Sequence, residues 1–423
     1  MPLLKRRPGI SGVCGPWRAV SSVLLLTGGL LAGCTADRSS SRRQSGDTTF
    51  VYSAAPQRDT ATLREVLRIG DAEGPDEYLF TEISNFAIGP DGDVFVADYD
   101  GGVRQFSPAG AFVRHVARNG RGPGEVTYIT SMDASADGRL AVVDLGNQRI
   151  SIYGPDGSFE RQLLRPTGRP AYGRDGVQWN MAGDLWVGLH LPRTNEETAS
   201  DPDKRPIYGR LTEDRTVADT VTLDAWGDEC GRRDPTYARG FYEDRRVGHG
   251  PFFHWTRGRS GDVAVGCSAD YAIDVRKTDG TTLRVGRAWS PVSISEEQRV
   301  FHEEYAFEAS SIRPAFVRLW LSDDGRLWVR PGTAGESRLT SESERSRGFP
   351  DRVWTSWSST DGMDVFAADG AWIGHVPTPA NWVAQPFPGS QDPYFRGDTI
   401  WAVTRDELGV TYLSRFVVDW PEG

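Results

Sequence analysis

The side chains with the most versatile chemistry in this 423-residue chain cluster in its middle. His190, His249 and His254 are candidate zinc ligands, since a neutral imidazole binds that ion well. Their spacing does not itself imply a site and no acidic partner can be assigned to them, so no metal is expected. Residues 224–250 interleave Arg232, Arg233, Arg239, Arg245 and Arg246 with Trp226, Tyr237, Phe241 and Tyr242. Arginine beside aromatic rings suits acidic sugars, peptides or a protein partner. The same stretch carries Asp228, Glu229, Asp234, Glu243 and Asp244, so ion pairing within the loop is an equal reading. Gly120-Arg121-Gly122-Pro123-Gly124-Glu125 has the glycines of a phosphate loop but neither the Lys-Ser/Thr nor the following helix. No G-x-S-x-G, H-E-x-x-H or Cys-pair motif occurs, so no catalytic residue and no cofactor is assigned.

The elements that must position these residues are announced by one recurring pentapeptide. Gly92-Asp93-Val94-Phe95-Val96 returns as Gly138-Arg139-Leu140-Ala141-Val142, Gly183-Asp184-Leu185-Trp186-Val187, Gly261-Asp262-Val263-Ala264-Val265 and Gly325-Arg326-Leu327-Trp328-Val329. A looser copy is Gly397-Asp398-Thr399-Ile400-Trp401. Each follows a polar turn and opens an alternating β-branched and aromatic run, the pattern of a tight turn feeding a strand. In the first unit a second turn, Pro108-Ala109-Gly110, follows at regular spacing; Pro155-Asp156-Gly157 does the same in the second. The period therefore predicts six four-stranded units, and sheets repeated radially are the blades of a β-propeller.

Phe95-Val96-Ala97-Asp98, Val103-Arg104-Gln105-Phe106, Gly110 and the 120–125 loop resemble the NHL-repeat pattern, as do Val142-Val143-Asp144, Asn147 and Arg149. The likeness spans residues 62–165 and thins to the pentapeptide afterwards. It implies an all-β, six-bladed propeller of the NHL-like kind found in bacterial lipoproteins. In such propellers Asp98, Asp144, Asn147 and Arg149 would hold loops through hydrogen bonds to backbone. The last unit runs out of chain after three strands, whereas residues 63–69, followed by Gly70 and Gly74-Pro75, parallel an outer strand and its exit loop. That N-terminal strand should complete the last blade and remove an open edge. Insertions at 189–205, 224–250, 287–313, 331–351 and 376–396 all fall opposite the glycine turns, so one face, here the top, should carry a raised rim. Ser295-Glu296-Glu297-Gln298 reads as a capping box opening a short helix with Phe301 and Tyr305 on one side. The insertion at 331–351 is long enough to hide a further hairpin.

At the other end, Lys5-Arg6-Arg7 precedes an apolar run that is too short to span a bilayer. It ends in Leu31-Ala32-Gly33-Cys34, which resembles the lipobox of bacterial lipoproteins. The resemblance implies cleavage after residue 33, lipidation of Cys34, and, with Thr35 following, an outer-membrane address facing the periplasm or the cell surface. Residues 34–60 are Ser-, Arg- and Thr-rich and are expected to be a flexible tether, with the propeller occupying 61–423. Export leaves Cys230 and Cys267 as a candidate disulfide, both placed at the top; closing their loop would stabilise by about 4 kcal/mol on the chain-entropy view. The net charge of −10 argues against nucleic acid, and the basic leader makes the remainder more acidic still. These features lead to an exported, membrane-anchored propeller that binds a protein, peptide or glycan through its top face. A channel-sited enzyme, a lactonase-like hydrolase or a lyase, is the other reading.

Overall fold

The computed structural model describes residues 40–99, 102–164, 176–188, 204–212, 217–224, 247–248, 253–296, 299–300, 308–309, 312–333, 336–339, 355–358, 362–383 and 392–422. Each recurring pentapeptide does what its composition dictates. Gly92 and Gly138 sit at φ 88° and 85°, a conformation that costs glycine no Cβ clash, and each closes a turn onto the residue three before it. The β-branched and aromatic residues beyond the turn then pair back on the preceding strand.

Six four-stranded blades result among the described residues, two of them extended by added strands. Blade 1 comprises Ile83–Ile88, Val94–Asp98, Gly102–Phe106 and Phe112–Asn119; blade 2 comprises Ile129–Ala134, Leu140–Asp144, Arg149–Tyr153 and Phe159–Leu164. Blade 3 is Val177–Trp179, Leu185–Gly188, Lys204–Leu211 and Val217–Asp224, and blade 4 is Phe253–Arg257, Val263–Cys267, Ala272–Arg276 and Thr282–Arg287. Blade 5 is Phe316–Leu321, Leu327–Pro331, Met363–Phe366 and Trp372–Val376. Blade 6 takes Tyr394–Arg396, Thr399–Arg405 and Thr411–Asp419 from the C-terminus and Thr62–Ile69 from the N-terminus, with Leu63 opposite Val418 and Ile69 opposite Leu413. The expected closure is therefore observed.

The core lies between blades. Val94–Asp98 and Leu140–Asp144 are buried throughout, because a second strand has a neighbouring sheet on both sides. Phe112–Asn119 alternates in its first half, as befits an outer strand with one face in solvent. Trp328 stacks on Phe395 across blades 5 and 6 with ring centroids 4.3 Å apart. Burial of each such ring stabilises by roughly 1.5–3 kcal/mol.

The tether expectation is overturned over residues 40–61. Ser40–Ser45 and Thr48–Ser53 form a hairpin, and Thr48–Ser53 pairs in parallel with the outer strand of blade 4, Val51 opposite Val285. The chain then crosses blade 5, where Gln57, Arg58 and Ala61 donate backbone N–H bonds to Trp372, Ile373 and His375 at 2.7–2.9 Å. It next enters blade 6. Residues 40–69 are thus a strap over the outer edges of three consecutive blades. The polar composition misleads because a strap needs few apolar anchors: backbone pairs supply most of its bonds, and Val51 alone buries fully in the core between blades 4 and 5. Residues 38–423 form one compact unit, so its boundary lies well before residue 61.

The insertions add structure without adding a blade. Glu336–Leu339 and Thr355–Ser358 make the hidden hairpin, a separate two-stranded sheet between strands two and three of blade 5. Val247–Gly248 pairs in parallel with Glu308–Ala309, so the connections that enter and leave blade 4 meet. The helix expected near 295 starts there: Glu296 is helical and Arg299 N–H bonds to Ser295 O at 3.0 Å. Phe301 and Tyr305 lie outside the described residues.

Candidate functional site

Of the residues singled out for function, His190, Trp226, Arg232, Arg233, Tyr237, Phe241 and Tyr242 lie outside the described residues, as do His249, Cys34 and Cys230. His254 and Cys267 are described. Cys267 ends the second strand of blade 4, at the top, and is disulfide-bonded.

The polar corners hold loops. The Asp144 carboxylate accepts the Thr127, Tyr128 and Asn147 N–H groups at 3.1–3.3 Å, and the Asn147 amide donates to Asp144 at 2.6 Å and Gly120 O at 3.0 Å. Arg149 donates to Gly122 O and Glu125 O at 2.7 and 2.6 Å. Asp98 and Arg104 repeat this in blade 1, where Arg104 donates to Leu79 O at 2.8 Å. The 120–125 loop closes on its own Glu125, which accepts the Gly122 N–H at 2.7 Å. A carboxylate in that position repels phosphate.

At the bottom end of the central channel the side chains converge on Arg259, in the glycine turn of blade 4. Its guanidinium donates to Ala134 O at 2.6 Å and pairs with Asp133 of blade 2. Its Nε lies 3.4 Å from Asp323 in the turn of blade 5. Tyr394 of blade 6 donates its hydroxyl to Asp323 at 2.7 Å, and Met181 N–H of blade 3 bonds Arg259 O at 3.0 Å. Burial opposes charge on Arg259, but the two carboxylates outweigh it and raise its pKa. Five blades are thus linked through Arg259 and its partners at the bottom of the ring.

Above this cluster the inner strands wall a small recess, with room for about one water, that opens to solvent. Gln178, Thr256, Arg257, Arg318, Trp320 and Asp392 line it. Arg257 donates to the Gln178 side chain, whose amide donates back to Arg257 O, both at 3.0 Å. The Arg257 guanidinium lies 4.2 Å from the Trp186 ring centre, and burial lowers its pKa. Arg318 pairs with Asp392 at 2.5 Å. Beside Arg318, the His254 ring packs on Phe316 at 5.3 Å, and its Nε2 is buried with no partner among the described residues. Burial, and then the Arg318 charge, lower the His254 pKa to about 4, so the imidazole is neutral at pH 7.

A second buried cluster clamps blades 4 and 5 near the top. The Asp364 carboxylate accepts from the Tyr271 hydroxyl at 2.5 Å and from Arg287 Nε at 2.7 Å, and His375 Nδ1 lies 3.1 Å away. Burial works against its charge, yet the His375 hydrogen bond and the Arg287 charge hold its pKa below the usual carboxylate range. Burial and the Asp364 charge push the Tyr271 hydroxyl up.

The Arg259 cluster, the recess and this clamp were not anticipated. Their signal is a departure from the repeat: the second turn position is Pro90, Ala136 and Met181 in the first three blades but Arg259 and Asp323 in the next two. Opposite charges at one repeat position in adjacent blades mark a pair across the ring.

No protein-family model and no curated protein matches the chain. Among solved structures it is similar to a member of the duf4221 family from Bacteroides vulgatus, at 8% identity and TM-score 0.51, covering 86% of this chain and 99% of that one. A candidate exported protein from Bacteroides fragilis matches at 11% identity and TM-score 0.48, over 84% of this chain and 95% of that one. A streptogramin B lyase matches at 13% identity and TM-score 0.36, over 84% and 97%. At such identity the duf4221 match shows the fold alone, and the two weaker ones carry no argument: the chain is a six-bladed β-propeller.

Proposed function

We propose that this protein is an exported, lipid-anchored propeller of the NHL-like kind that binds a protein, peptide or glycan through its top face. The observation that carries the reading is the buried ion-pair cluster around Arg259 at the bottom of the ring. Arg259, Asp133 and Asp323 place a buried ion-paired cluster at one end of the ring, while the connections within and between blades three to six leave and rejoin their strands at the other. A ligand of the channel then enters from the loop-bearing side, which is where function usually sits on a rigid scaffold. The arginine- and aromatic-rich 224–250 segment supplies the rim, with Trp226, Arg232, Arg233, Tyr237, Phe241 and Tyr242 as contacts. A Cys230–Cys267 disulfide would tie that rim to blade 4. Export and anchoring rest on the leader and on Cys34, with residues 35–39 left between it and the strap. A glycan and peptide array probed with the protein tests the reading. Hits abolished by R232E/R233E support it, and hits indifferent to that change refute it.

A further inference from the structure

The outermost strand of the blade 4 sheet is Ser40–Ser45, and its outer edge pairs with no strand among the described residues. Every residue of that strand is exposed. Arg42 and Arg43 stand at its centre, and neither has a carboxylate partner among the described residues. The register puts them on opposite faces of the hairpin: Arg42 lies opposite Val51, which enters the core, and Arg43 opposite Phe50. Both side chains are long enough to turn outward past the edge. Arg43 and Arg284 each lie 5.6 Å from the centre of the Phe50 ring, and Asp274 takes up the Arg284 charge at 2.5 and 2.7 Å. Tyr52, on the Phe50 face, is 48% exposed. Thr48–Ser53 runs parallel to Thr282–Arg287, which rises from the bottom turn of blade 4 to its top, so Ser40–Ser45 starts at the top end. The one acidic residue of the hairpin, Asp47, lies in its turn at the far end, which leaves the edge cationic in a chain of net charge −10.

Five residues, 35–39, separate Cys34 from Ser40, and a fully extended chain of that length covers about 20 Å. We infer that the Ser40–Ser45 edge, with Arg42, Arg43 and Tyr52, is a docking surface for anionic phospholipid headgroups and lays the outer edge of blade 4 against the membrane. The inference rests on anchoring at Cys34 and gives the anchored protein its orientation. Arginine meets phosphate in two-point geometry, and tyrosine places an apolar ring and a polar tip at headgroup level. A basic side chain at an anionic surface favours contact by about fivefold, so the two arginines together give about thirtyfold. The short anchor keeps the edge close to the bilayer, and that factor then selects one orientation. The acidic remainder of the protein is repelled by the same lipid. Charge on an edge strand also blunts pairing with a second sheet, but that role is indifferent to lipid composition.

Contact quenching on the mature, lipidated chain tests this. The protein is purified in detergent, weighed for acyl chains, and reconstituted in vesicles of phosphatidylcholine alone or with about one third phosphatidylglycerol, a nitroxide marking the headgroups. A dye sits on S41C, or on V113C in the exposed outer strand of blade 1, across the ring. Phosphatidylglycerol is expected to raise quenching of S41C by about twofold or more and to leave V113C unquenched, and added salt to reverse the rise. R42Q/R43Q changes only exposed side chains and should abolish the dependence on lipid charge. Equal quenching of S41C in the two vesicles, a rise that survives R42Q/R43Q, or equal quenching of V113C would overturn the docking edge. If the protein is acylated when that happens, the anchor stands and the edge alone falls. A mature chain without acyl groups overturns both. The top-face reading is decided separately, by the array.

Discussion

Arg259 and Asp133 lie 126 positions apart in sequence and form one ion pair across the bottom of the channel, each side chain only 12% exposed. With Asp323 on the other side of the guanidinium, the cluster ties blades 2, 4 and 5 together at the bottom of the ring.

Removal of Arg259 should be costly, because it strands two carboxylates at a buried site. R259M is expected to destabilise by about 3–5 kcal/mol, read as a lowered denaturant midpoint. R259M/D133N should cost less than the sum of the single changes, and a double-mutant cycle measures that coupling. Simple additivity would mean that the pair does not hold the cluster together.

The strap makes a prediction of its own. V51D places a charge against Val285, Ile273 and Phe366, and should destabilise by about 3 kcal/mol. Deletion of residues 40–61 should lower stability but leave a cooperative unfolding transition. A chain that begins at Ile83 lacks the outer strand of blade 6 and should not fold cooperatively. Circular dichroism melts distinguish the three.

Acid should weaken the fold in two steps. His254 keeps a folded pKa of about 4 against an ordinary value of 6.5, so the unfolded chain takes up its proton first. Its contribution is complete above pH 6.5 and is lost as pH falls from there to about 4. Asp364 has a folded pKa below 3.8, so its contribution is present above that value and is lost as pH falls through the depressed one. Denaturant midpoints measured from pH 7 to pH 3 should therefore decline throughout. H254F should flatten the upper part, and D364N the lower.

The disulfide at Cys267 is expected to involve Cys230. Peptide mapping without reductant should recover that pair, and C230S should lower stability by about 2–4 kcal/mol. Labelling of both thiols in the untreated protein would rule the pairing out.

The fold was legible because it is written locally. A glycine turn followed by Val-Phe-Val or Leu-Trp-Val specifies a hairpin, and regular spacing multiplies it into blades. The closing strand was legible for the same reason, since residues 63–69 and their Gly70 exit copy a pattern found elsewhere in the chain. The strap was not, because average composition over residues 34–60 hides the single β-rich patch Phe50-Val51-Tyr52. The Arg259 cluster and the recess were less legible still. Arg259, Asp133, Arg318 and Asp392 come from four different blades, and only ring geometry brings them together. His254, picked out by its residue type, is buried beside Arg318, and burial holds its imidazole neutral at pH 7.

Native-state hydrogen exchange on the full chain tests ring closure most directly. If the two ends of the polypeptide share one sheet, the amides of Thr62–Ile69 and Thr411–Asp419 will exchange with the same opening free energy as those of Val94–Asp98. Exchange of Thr62–Ile69 at far lower cost than the rest would mean that the ring is not fastened there.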